Sequence, residues 1–138
     1  MVKKVLLPGL VAGVVLLIVG MGWSFLLNAI FPGLAAEYQN TALFRPWEDP
    51  LMSVFFAYPF VLGLALAWVW DKVKGLVSGG IVSRATSFGL GYWVVASIPG
   101  MVITYSSFPV SLLMVITWSI SGLVQAIVAG LIFAKLNA

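Results

Sequence analysis

Residues 85–134 read ATSFGLGYWVVASIPGMVITYSSFPVSLLMVITWSISGLVQAIVAGLIFA, fifty positions without one Asp, Glu, Lys or Arg. A hydrocarbon core of about 30 Å is crossed by about 20 helical residues, so this stretch holds two crossings and a turn. Ser106, Ser107 and Pro109 supply the turn signal and divide it into helices over about 86–105 and 109–135.

Toward the N-terminus the same character recurs. Val5 to Phe31 carries no charge; as a helix of roughly 40 Å it must tilt or enter the headgroups. Lys3 and Lys4 before an apolar run also suit a signal peptide, but the run exceeds an ordinary h-region and no good Ala-x-Ala site follows. A retained first helix over 5–31 is therefore expected. Another span is expected over 50–70, with Asp49 as its cap and Pro50 in the first helical position, where a missing N–H costs nothing. Asp71, Lys72, Lys74, Gly79, Gly80 and Arg84 then mark a polar turn.

The whole chain of 138 residues is 62% hydrophobic and 8% charged, with a mean hydropathy of +1.14. Soluble domains average about 45–50% apolar and about 25% charged. A soluble enzyme, a disordered chain and a nucleic-acid-binding domain are thereby excluded. Lys3, Lys4, Lys72, Lys74, Arg84 and Lys135 fall on one side of the four spans and only Arg45 on the other, which by the positive-inside rule places both termini in the cytoplasm. The expected fold class is all-α: one domain, 1–138, forming a polytopic four-transmembrane-helix bundle of the cell membrane. Trp68 and Trp70 should lie at the cytoplasmic interface and Trp47 at the other. Ile30-Phe31-Pro32-Gly33 faintly echoes Ile98-Pro99-Gly100, too short a match to establish an internal duplication.

With no Cys and no His, thiolate and imidazole chemistry and their metal sites are absent; no cofactor, metal site or catalytic residue is assigned. The connection from Pro32 to Asp49 holds three of the four acids. A short interfacial helix is expected between Gly33 and Phe44, with Glu37, Asn40 and Thr41 on one face and Ala35, Tyr38 and Ala42 on the other. Glu37, Asn40, Arg45 and Glu48 are the outer candidates for ligand binding; the structural alternative is that Arg45 pairs with a carboxylate and Asp49 caps a helix.

Inside the membrane the candidates are uncharged: Asn28, Tyr58, Thr117, Ser121 and Gln125. The last three recur every four residues and so form one stripe, with Gln125 near mid-membrane. Such a stripe lines a cleft or forms interhelical hydrogen bonds. Trp23, Trp93 and Trp118 lie deeper than an aromatic belt requires, framing a cavity or filling space. Pro59 and Pro99-Gly100 interrupt spans, freeing carbonyls or simply bending the helix. Gly9 and Gly13, and Gly122, Ala126 and Gly130, are small-residue faces for contact within the chain or between copies.

These features favour a non-enzymatic membrane protein that binds or passes a neutral solute or a lipid through an outward-facing polar cleft. No Asp or Glu lies in a span, which disfavours proton coupling. The alternatives are an accessory subunit of a larger membrane complex and an outer-leaflet lipid-active enzyme using Glu37 and Glu48. Expected partners are membrane lipids, a second copy through the small-residue faces, or a larger membrane protein, and no nucleic acid.

Overall fold

The computed structural model describes residues 1–138 and is helical throughout, without a strand. Four helices are long and apolar enough to cross a membrane: α1 (Val2–Ile30), α3 (Pro50–Leu76), α4 (Ile81–Ser107) and α5 (Leu112–Leu136). A short helix, α2 (Pro32–Tyr38), follows α1. Both termini therefore lie at one end of the bundle.

Prolines decide where the helices stop. The residue before a proline avoids the helical region, and Phe31, Asp49 and Phe108, preceding Pro32, Pro50 and Pro109, are all non-helical. Asp49 caps α3 as expected, its Oδ1 accepting from the Leu51 N–H at 2.9 Å. The fourth span does not start at Pro109: Ser111 is its cap, with Oγ accepting from the Met114 N–H at 3.1 Å. Pro8, Pro59 and Pro99 instead sit inside helices. Each is preceded by a stretch of altered pitch: wide turns at Val2–Leu6 and Trp93–Ser97, and a tight 3-10 stretch at Pro50–Ala57. Rewinding the preceding turn avoids the clash of the proline ring with the carbonyl four residues back.

Helices α1 and α3 form one close pair and α4 and α5 another, with α1 against α5 joining the two. Glycine permits both close pairs. A Cβ on Gly63 would lie 2.9 Å from the Gly13 nitrogen, and one on Gly130 would lie 2.9 Å from the Ala85 Cα. The Gly9/Gly13 and Ala126/Gly130 faces are thus occupied within the chain, and a Cβ on Gly122 would strike the Ser97 hydroxyl. Association between copies, expected through these faces, would have to use other surfaces.

The main core lies in the half that carries the termini: Val5, Ala12 and Leu16 of α1, Leu66, Ala67 and Trp70 of α3, Phe88 of α4, and Ala129, Phe133 and Ala134. Contrary to the belt expectation, Trp70 is fully buried. Its N–H donates to the Asn137 carbonyl at 2.7 Å, and the Arg84 guanidinium lies 5.0 Å over its ring. The Asn137 side chain closes the knot: Oδ1 accepts from Lys74 Nζ at 2.6 Å, while Nδ2 donates to the Lys4 carbonyl and to Asp71 Oδ1, each at 3.0 Å. Asp71, Lys72 and Lys74, expected in a turn, stand on the last turns of α3, and Arg84 on the first of α4. Asn137 and the Trp70 ring hold Asp71, Lys74 and Arg84 there, so the backbone stays helical past these charges.

Toward the opposite end the bundle loosens. Neither Pro50–Ala57 nor Trp93–Ser107 contributes a buried residue. A second, small core there joins Leu34 of α2 to Val110, Met114 and Val115.

Candidate functional site

The connection after α1 lies against the bundle. Glu37 Oε2 accepts from the Ser111 N–H at 2.9 Å, placing a carboxylate at the N-terminus of α5, where the helix dipole favours it. The Trp118 N–H donates to the Tyr38 hydroxyl at 2.5 Å, and Phe44 completes an aromatic trio, 5.2 Å from Tyr38 and 6.2 Å from Trp118 between ring centroids. Burial pushes the Tyr38 hydroxyl above the ordinary tyrosine range; the Trp118 hydrogen bond opposes this and the Glu37 charge adds to it.

The remaining outer candidates disperse. Helix α2 ends at Tyr38, short of the expected Phe44, because Asn40 Oδ1 takes the Ala42 N–H at 3.0 Å and turns the chain. Glu37 and Asn40 therefore do not share a helical face. Arg45 pairs with Asp49 at 3.0 Å, and Glu48 is exposed. The Leu51 N–H, then Arg45, holds the Asp49 carboxyl below its ordinary range. No three acids converge to form a metal-ligating group.

Within the spans Asn28 is half-buried on α1, and Tyr58 is exposed where α3 regains regular pitch. Thr117 is buried and spends its hydroxyl on the Met114 carbonyl of its own helix, at 2.7 Å. Ser121 and Gln125 are half-buried, and Gln125 faces Gly20 of α1. The stripe thus divides chemically, with Thr117 satisfied locally and Gln125 turned toward α1.

The half of the α4–α5 pair remote from the termini holds the concave surface. The wide turn at Trp93–Ser97 is pinned to α5 by the Trp93 N–H, which donates to Ser119 Oγ at 2.9 Å and to the Ser119 carbonyl at 3.1 Å. Above this pin the helices part. A cleft of about 220 Å³ opens between Ile98, Met101, Val102 and Tyr105 of α4 and Leu112, Val115, Ile116 and Ser119 of α5. On the same seam a second cavity of about 210 Å³ lies beneath the outer connection, bounded by Leu43, Phe44, Thr104, Phe108, Val110 and Trp118.

Both cavities are apolar, and none of Glu37, Asn40, Arg45, Glu48, Asn28, Tyr58, Thr117, Ser121 and Gln125 lines either of them. An apolar lining carries no polar signal in the sequence; the one legible sign of this surface is Pro99, which accounts for the wide turn. Trp93 and Trp118, deeper than an aromatic belt requires, both anchor parts of this seam through their N–H groups.

No family model, curated protein or solved structure matches the chain. Its four long apolar helices define the class, a small multi-pass α-helical membrane protein.

Proposed function

We propose that this protein binds a membrane lipid, seating part of an acyl chain in the cleft between the outer halves of α4 and α5. The observation that carries this is the cleft itself: apolar, open along its side, and held apart by the wide turn at Trp93–Ser97. Its volume of about 220 Å³ falls below the roughly 300–1,000 Å³ of pockets that enclose a drug-sized molecule. A cradle for part of a chain fits that size better than a chamber for a whole solute, and binding fits better than passage. With both termini cytoplasmic, the cleft faces the outer leaflet. Ile98 to Tyr105 then spans roughly 10 Å of depth, and Tyr105, Ser106 and Ser107 meet the lipid backbone with hydroxyls rather than charges, which suits a neutral headgroup.

Native mass spectrometry after gentle extraction tests this. One retained lipid per chain is expected, displaced when Ile116→Trp or Val102→Trp fills the cleft, and kept when Val61→Trp adds the same bulk to the lipid-facing surface of α3. Equal retention in all three variants would refute the assignment.

A second possibility, an accessory subunit, has its own observation. Trp47, Phe55 and Phe56 stack within 5.4–6.2 Å of one another on a segment that makes no core contact. A stoichiometric foreign chain in the same spectrum would favour it.

A further inference from the structure

We propose a second ligand site at mid-membrane between α1 and α5, where Trp23 and Gln125 receive a neutral, apolar molecule bearing a carbonyl oxygen. This site is separate from the α4–α5 cleft and does not depend on it. Gln125 lies near the centre of Leu112–Leu136, roughly 15–20 Å from either end of the helix. No water is available at that depth to satisfy polar groups.

The Trp23 Nε1–H is nevertheless buried with no hydrogen-bond partner, the one such side-chain atom in the molecule. Gly20, one turn below Trp23, sets the register between the helices: a Cβ there would lie 3.2 Å from Gln125 Nε2. Because α1 and α5 run antiparallel, Trp23 stands at about the level of Ser121, one turn above Gln125. The indole donor, the Ser121 hydroxyl and the Gln125 amide therefore lie within about one helical turn of depth, with the Gln125 amide seated against Gly20 where a larger residue would crowd it.

The donor set selects the ligand. An indole N–H only donates, so its partner must present an acceptor. The charge-free stretches on both helices supply no counter-ion, so that acceptor is neutral. A carbonyl meets both conditions, and the amide NH₂ of Gln125 can donate to the same oxygen or to a second one. Quinone-type and other ketone-bearing lipids form the matching class.

The test follows the indole N–H resonance of Trp23 in nitrogen-15-labelled protein in lipid nanodiscs, assigned by its loss in Trp23→Phe. The probes are a decyl-substituted benzoquinone and decylbenzene. A saturable downfield shift with the quinone alone is expected, with affinity about three- to tenfold weaker in Gln125→Leu, as for one lost hydrogen bond. Binding should be abolished in Gly20→Leu. The other five indole resonances report whether each variant is folded. A silent Trp23, or an equal response to decylbenzene, would overturn the proposal. So would a Trp23 resonance that moves in unliganded Gln125→Leu while the titration stays unchanged, since that would reveal an internal indole–amide bond.

Discussion

Asn137 does more for the terminal end than any charged residue there. Its side chain joins Lys4 of α1 to Asp71 and Lys74 of α3, and its carbonyl takes the Trp70 N–H. Asn137→Leu removes the three side-chain bonds and leaves the Lys4 carbonyl without a side-chain donor. It should destabilise the protein by about 1–3 kcal/mol, seen as a lower midpoint in thermal unfolding in detergent, with Trp70 fluorescence shifting in step. At the other end Asp49 holds the first turn of α3. Its carboxyl is depressed in the folded state, so its capping contribution is complete above the ordinary carboxylate range and is lost as pH falls through the lower folded value. Hydrogen exchange at Leu51 should accelerate over that acid window in the wild type. In Asp49→Asn it should show no such step. Trp68 and Trp70 illustrate what composition leaves open at this scale: two residues apart on a helix they point to nearly opposite sides. One is exposed, with Lys72 Nζ 5.9 Å from its ring centroid, and the other is sealed in the core.

Helices α1, α3 and α4 keep their overall course but change pitch before an internal proline, and the change in α4 positions the cleft. Pro99→Ala restores a backbone donor, letting Trp93–Ser97 relax to regular pitch and α4 close on α5. Lipid retention should fall while thermal stability holds or rises, both read on one purified sample. The α1–α3 pair responds in the opposite sense. Gly63→Ala drives a methyl into the backbone of α1 and should cost about 1–3 kcal/mol of stability, measured by the same melt. The four spans were legible because an uncharged run of that length has few other places to go. Their ends were less so: the helices continue through Lys72, Lys74 and Arg84, because Asn137 and the Trp70 ring give Lys74 and Arg84 partners there. The apolar cleft was hidden for a different reason. Ile98, Val102 and Ile116 look like any lipid-facing residues until tertiary bending sets them across from one another. Of the polar candidates, the Thr117–Ser121–Gln125 spacing was legible, but local bonding, which satisfies Thr117, was not.

Across the whole molecule, tight packing at the terminal end and splaying at the other give a bundle with one rigid half and one half open to lipid. The six-to-one partition of basic residues predicts that the rigid half faces the cytoplasm. The chain has no cysteine, so Thr41→Cys and Ser78→Cys can each be labelled alone with a membrane-impermeant maleimide. Thr41→Cys should react in intact cells and Ser78→Cys only after permeabilisation; the reverse pattern would place the cleft in the inner leaflet. Glu37 on Ser111 and Tyr38 on Trp118 then form an outer cap over the seam between α4 and α5. The most direct test of lipid binding is native mass spectrometry of wild type and Ile116→Trp extracted side by side from the same membrane. One lipid on the wild type and none on the variant is the predicted result. A bare wild-type chain, or a lipid retained equally by both, would contradict it.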